Sequence, residues 1–205
     1  RGLRVVFLGI DVRGEAGPLR DPRVRRAIAL AIDRTALVTG PLRGHAATID
    51  QVVSPSVAGH DPGLPPLPHD PAEARRLLSE AGLPAGFDVN LELMPAKYQA
   101  MPEVARAIAA DLLRVGIRVT LQPFPMPEFL SRREKGSGGL YLQGWMTTGW
   151  DAGLTYDQLL HTRAGGHGSA NGTGYSDPIV DRLVEEAAAE MSRDARIERY
   201  HALAR

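Results

Sequence analysis

The two tryptophans of this chain, Trp145 and Trp150, stand five residues apart in YLQGWMTTGWDA, residues 141–152. Met146, Thr147, Thr148 and Gly149 lie between them, and Asp151 follows. Two chemistries suit that spacing. Indoles commonly fill a core at a sheet edge, in which case Gly144 and Gly149 mark tight backbone turns. Alternatively, the rings form a flat apolar wall at a cleft mouth and stack on a ligand, with Thr147, Thr148 and Asp151 as polar handles. Spacing alone leaves both open.

The other reactive side chains assemble less well. His161 and His167 flank a glycine-rich loop, HTRAGGHG, and the remaining histidines are His45, His60, His69 and His201. Metal ligation needs convergent ligands with supporting partners. The chain has no H-E-x-x-H and no histidine pair with an acid close by, so neither a metal site nor a cofactor is expected, and the loop histidines read as solvated. GSANGTG (168–174) has the glycine count of a phosphate loop but no following G-K-[ST]. The next helix opens with Asp177, whose charge opposes a phosphate. No serine sits in G-x-S-x-G, and no pair of acids stands out as an acid/base couple. The enzyme reading is therefore thin.

Composition narrows the partners. The chain has 205 residues, 24 basic and 24 acidic, for a formal net charge of zero. That removes the electrostatic footprint of a nucleic-acid binder. A 43% hydrophobic content supports a real core in one domain or one large lobe. The absence of cysteine excludes disulfides, thiolate catalysis and cysteine-type zinc sites. There is no apolar run long enough to span a membrane and no signal segment after Arg1.

The elements that must position these residues follow from period and punctuation. LRVVFLG (3–9) reads as a strand. Asp21-Pro22 starts a helix that carries Val24, Ile28 and Ile32 on one stripe, and Asp33 caps a second short helix, Arg34 to Val38. Residues 40–69 show no period and read as a long loop. Asp70-Pro71 starts a helix to Ala81, with Glu73 placed to complete a capping box and Gly82 as the stop. FDVNLEL (87–93) and IRVTLQ (117–122) alternate strictly, and the segment between them, 102–115, has helical period. Strand, amphipathic helix, strand is a βαβ unit with parallel strands. A short helix (127–134) and a third strand (139–144) continue the pattern. Helices at 153–161, 177–191 and 193–204 complete it. In such a layout, ligands gather beyond the carboxyl ends of the parallel strands. Those ends are Met94 to Met101, Pro123 to Met126, and the stretch from Gly144. Met94 and Tyr98 therefore join Trp145, Thr148, Trp150 and Asp151 as candidate contacts.

Five segments, in order, resemble one family: GPLRDPRVRRAIALAIDRTALV, HDPAEARRLLSEAGLPAGFDVNLEL, VARAIAADLLRVGIRVTLQP, GWMTTGWDAG and NGTGYSDPIVDRLVEEA. They are similar to family 5 extracellular solute-binding proteins, the peptide-, nickel- and sugar-type receptors of ABC importers. The resemblance covers nearly the whole chain. It implies an α/β, periplasmic-binding-protein-like lobe with βαβ units and a mixed, partly parallel sheet flanked by helices. It further implies that residues 1–205 are a single lobe, the second of two that close over a solute, truncated at both ends. The partners it implies are a small solute such as a peptide or sugar, a membrane permease, and the missing first lobe. The implied location is periplasmic or extracellular, with a possible lipid anchor. The runner-up is a ligand-sensing domain of a transcriptional or signalling protein with the same fold.

The resemblance also bears on residues. Peptide receptors of the family typically carry, three residues after the first Trp, an Asp that binds the peptide ammonium. Here that position is Thr148, whereas Asp151 matches a second family Asp. Burying an ammonium without a counter-charge costs several kcal/mol, so the expected solute is not a standard free-amine peptide. Asn171, Tyr175 and Asp181 match the family as structural ties. Asp11 stands where the family often has Asn, and it is not expected to touch ligand.

Overall fold

The computed structural model describes residues 2–14, 17–95, 97 and 100–205. In chain order the elements are β1 (Arg4–Ile10), α1 (Pro22–Ala31), α2 (Arg34–Thr39), α3 (Pro71–Glu80), β2 (Phe87–Leu93), α4 (Met101–Arg114), β3 (Ile117–Pro123), α5 (Met126–Lys135), β4 (Leu140–Met146), α6 (Gly153–Leu160), α7 (Pro178–Ala189) and α8 (Arg193–Ala204). A 3-10 turn, Gly17–Arg20, precedes α1. These bounds follow the sequence reading closely, with one relevant difference. β4 runs on to Met146, so Trp145 belongs to the strand instead of following it.

The caps form for the reasons the sequence indicated. The Asp21 carboxylate accepts from the Arg23 amide, Asp33 from Ala36 and Asp70 from Glu73. The capping box at Asp70 forms by half. The Asp70 amide already donates to the Leu30 carbonyl, so Glu73 turns outward and pairs with Arg76.

The strands form one sheet in the order β1-β4-β2-β3. β2 pairs in parallel with β3, Phe87 opposite Ile117 through Leu93 opposite Pro123. It also pairs in parallel with β4, Leu91 opposite Leu140 and Glu92 opposite Tyr141. The β2-α4-β3 crossover read from the sequence is therefore present. β1 runs against β4: the Asp11 amide, just past the end of β1, donates to the Gly139 carbonyl, just ahead of β4 (2.8 Å).

The chain divides into two compact units. The larger comprises Leu8–Thr48 and Leu67–Gln143, and the smaller comprises residues up to Phe7, Ile49–Pro66 and Gly144–Arg205. In the larger unit, Phe87, Val89, Leu91 and Leu93 of β2 share a core with Ile117 and Leu140. Val104, Ile108 and Leu112 of α4 and Val24, Ala27 and Ile28 of α1 complete it. Each wholly buried leucine there contributes about 1.5–3 kcal/mol. The opposite face of β2 is also covered near its end. Glu92 is 2% exposed and bonds Arg132 (2.7 Å) and Arg133 (2.6 Å) of α5. The Phe129 ring meets Tyr141 edge-on, with centroids 6.3 Å apart. Gly9 leaves room for that tyrosine, since a Cβ on it would sit 2.0 Å from the ring.

The smaller unit has its own core of Val53, Val57, Ala152, Tyr156, Val184, Ala187 and Tyr200. Val53 and Val57 lie in the stretch read as a long loop. That stretch lacks regular secondary structure, yet it drives two buried valines into the core. Two apolar anchors in an irregular segment leave no period to read.

Candidate functional site

In the smaller unit, the aromatic stretch is anchored at both ends and open in the middle. Its end is fixed by backbone pairing. The Ala58 amide donates to the Trp150 carbonyl (2.8 Å), and the Ala152 amide donates to the Ala58 carbonyl (2.9 Å), forming a parallel bridge between Ala58 and Asp151. The Asp151 carboxylate accepts from the Gly153 amide (2.8 Å), the Tyr200 hydroxyl (2.6 Å) and Arg196 Nε (3.2 Å). Burial, and then the bond to Asp151, push the Tyr200 hydroxyl well above its ordinary pKa, so it remains a donor. Ala152 is wholly buried.

Between these anchors the side chains diverge. Trp145 is half-buried, and its indole N–H donates to Thr155 Oγ1 (3.4 Å), whose hydroxyl donates to Thr147 Oγ1 (3.1 Å). Thr147 is thereby turned inward and buried. Thr148 and Gly149 are exposed, and Trp150 is 72% exposed. Among the described residues, neither tryptophan belongs to a hydrophobic core cluster. Met146 and Leu154, on either side in sequence, are also exposed. A large indole held to water on a pinned backbone is a surface suited to stacking.

In the larger unit, the carboxyl ends of β2 and β3 form an open depression of roughly 660 Å³, lined by Met94, Pro95, Lys97, Pro123, Phe124, Pro125 and Met126. The Phe124 amide donates to the Leu93 carbonyl (2.9 Å), which ties the two strand ends together. Met94 is itself buried beneath this surface. Tyr98 lies outside the described residues.

Of the residues read as structural ties, Asn171 and Asp181 engage through their side chains, whereas Tyr175 is 42% exposed and joins through its backbone. Asn171 donates to the carbonyls of His161 (3.0 Å) and Tyr175 (2.8 Å) and closes the loop between α6 and α7. Asp181 accepts from the Thr162 amide (2.7 Å). Burial pushes its carboxyl up, but the Thr162 hydroxyl and amide and the nearby histidines outweigh burial and hold it below its ordinary value. Asp11 is sealed in the larger unit, accepting from Arg13 Nε and from the Ser137 amide, both at 3.0 Å.

The fold also brings together a group that no motif announced. His161 and His167 stack with ring centroids 4.3 Å apart, beside Glu185 and Asp181 of α7 and Asp157 of α6. The loop histidines were read as solvated, yet His161 is buried; Glu185 and Asp181 come from α7 and gave no local signal, whereas Asp157 stands only four residues before His161. Burial pushes the His161 imidazole down, but the Thr162 carbonyl, Glu185, Asp181 and Asp157 outweigh it, and its pKa is raised.

Comparison with known proteins accords with this architecture. The family described as bacterial extracellular solute-binding proteins, family 5, middle region, matches residues 1–167. The dipeptide-binding protein of Escherichia coli K12 is 28% identical over 97% of this chain and 37% of its own length. A probable di/tripeptide-binding protein 5 of Pseudomonas aeruginosa is 30% identical over 90% of this chain and 35% of its own length. The chain thus spans little more than a third of the curated relatives it matches. Among solved structures, HbpA2 from Haemophilus parasuis superposes with a TM-score of 0.91 at 23% identity, covering 99% of this chain and 40% of that one. The periplasmic binding protein DppA from Helicobacter pylori, in complex with the peptide STSA, gives 0.90 at 24% identity, covering 98% and 39%. The fold is that of a periplasmic-binding-protein lobe, and the chain belongs to the family 5 bacterial extracellular solute-binding proteins.

Proposed function

We propose that these residues form the second lobe of a two-lobe receptor that captures a small solute, a peptide or a similar polar molecule, and hands it to the permease of an ABC importer. The observation that carries this reading is Trp150, 72% exposed on a backbone fixed by the Ala58 bridge. The names of the relatives, dipeptide- and di/tripeptide-binding proteins, support the solute class. A further relative named a probable ABC transporter periplasmic-binding protein supports the transporter partner and a periplasmic location.

In this reading Trp145 and Trp150 stack on the solute and Thr148 offers it a neutral hydroxyl. Asp151 holds the loop in place through Tyr200 and Arg196. Met94, at the apolar depression of the larger unit, and Tyr98 remain further candidate contacts. Because Thr148 carries no charge, the solute does not present a free ammonium there.

Isothermal titration with di- and tripeptides bearing free or blocked amino ends tests this. It is run on the 205-residue chain and on the complete receptor that the reading implies. The chain alone should bind no tighter than about 1 μM, equivalent to about 8 kcal/mol, because half the contacts are missing. In the complete receptor, Trp150→Ala should weaken binding at least about tenfold, about 1.4 kcal/mol. Unchanged binding in that variant overturns the site, and sub-micromolar binding that requires a free amine overturns the role of Thr148.

A further inference from the structure

We propose that His161, His167 and Glu185 bind a divalent transition-metal ion, with the two imidazole Nε2 atoms and one carboxylate oxygen as ligands. One ring nitrogen of each histidine and one Glu185 oxygen all lie within 4.8 Å of one another. Two imidazoles and a carboxylate are a donor set that suits zinc and its neighbours, and three protein ligands leave a further position open. This inference is independent of the solute-binding reading.

The supporting partners make the group more than a chance cluster. His161 Nδ1 lies 2.8 Å from the Thr162 carbonyl, which can only accept, so that nitrogen carries a proton. His167 Nδ1 is bonded to the Asp157 carboxylate in the same way. Each ring therefore has its Nδ1 occupied and its Nε2 directed elsewhere, the arrangement that fixes a metal-binding histidine. His161 Nε2 already faces Glu185 Oε1 at 3.2 Å. Asp181 sits on the other side of the ring, 3.5 Å from Nδ1, and belongs with the supporting partners.

The backbone is folded to bring the two histidines together. The Gly168 amide donates to the Asp157 carbonyl, and the His167 amide donates to the Ala164 carbonyl. Gly168 has φ +63°, and a Cβ there would lie 2.5 Å from the His161 carbonyl oxygen, so only glycine lets the loop close this tightly.

Metal binding requires a defined movement. A tetrahedral ion with bonds of about 2.0–2.1 Å holds its ligand atoms about 3.3–3.5 Å apart. The two rings are stacked at 18°, so their in-plane lone pairs point side by side and do not converge. His161 is 5% exposed and fixed, whereas His167 is half-buried on the loop and Glu185 is exposed on α7. The ion would turn His167 out of the stack and draw Glu185 inward onto a stationary His161, linking the loop to α7.

The test is titration of the EDTA-stripped 205-residue chain with zinc by calorimetry, alongside nitrogen NMR of the histidines. Uptake of one equivalent, with the His161 Nε2 resonance shifting on binding, is expected. His167→Ala and Glu185→Gln change exposed or partly exposed residues and should weaken uptake at least about tenfold, and Asp157→Asn should weaken it roughly 10- to 100-fold. His45→Ala, at an exposed histidine elsewhere, should change nothing. Circular dichroism checks that each variant is folded. No saturable uptake, or uptake that folded His167→Ala leaves unchanged, overturns the proposal in favour of a protonated His161 that only hydrogen-bonds Glu185.

Discussion

Glu92 and Asp151 are both carboxylates that gather several donors, one in each unit, and they are put to opposite uses. Glu92 is 2% exposed and sealed between β2 and α5, held by Arg132 and Arg133. Beside it the Arg133 guanidinium lies over the Tyr141 ring (4.2 Å) and faces Asp11 at 3.6 Å. Among the described residues its Nε and Nη1 have no hydrogen-bond partner, and the aromatic face packs against the guanidinium. Asp151 is 44% exposed at its side chain and sits at a loop end. It immobilises a backbone whose preceding residue, Trp150, is left in water. The first carboxylate closes a structure, and the second keeps a surface in place without covering it. An exposed tryptophan beside a triply bonded anchor is a built feature, since an exposed indole in a slack loop would collapse onto any apolar surface within reach.

Three substitutions can break or sharpen that contrast. The largest effect is expected for Arg133→Ala, which leaves Glu92 buried with only part of its compensation and should cost about 3 kcal/mol in urea unfolding. A cost near zero would mean that the Glu92 cluster is not sealed. A smaller effect is expected for Tyr200→Phe, which deletes one donor to a partly exposed carboxylate while keeping the ring. It should cost about 0.5–1.5 kcal/mol by the same measurement. The smallest is Trp150→Ala, which should leave unfolding stability within about 0.5 kcal/mol of the parent. A loss above about 2 kcal/mol would make Trp150 a core residue, and the difference between the two carboxylates would disappear.

Much of the larger unit was legible before any coordinates. Strict alternation in FDVNLEL and IRVTLQ, with helical period between them, specified the parallel βαβ unit, and Asp-Pro pairs specified where α1, α3 and α7 begin. What escaped notice were polar residues whose surroundings come from far along the chain. Alternation put Glu92 on the correct face of β2, but nothing in its neighbours told that α5 would cover it. Asp111 read as lying mostly away from the apolar stripe of α4, yet it is 7% exposed and accepts from the Asp33 amide (3.0 Å). The aromatic stretch was legible as a candidate and as nothing finer. Trp145 turns toward Thr155, and the Trp150 backbone is paired with Ala58, a bridge of which the sequence holds no sign.

By itself the sequence determined the family, the order and bounds of nearly every element, and the stretch on which a solute-binding reading must rest. These are local properties: side-chain period, capping carboxylates and proline and glycine punctuation act over a few residues and can be read from a few residues. Only the tertiary structure decided which carboxylates are buried, which tryptophan is exposed, and that His161 and His167 meet acids from α6 and α7. Burial and charge pairing depend on distance in space, and two residues far apart in the chain leave no mark on each other's neighbours until the fold brings them into contact.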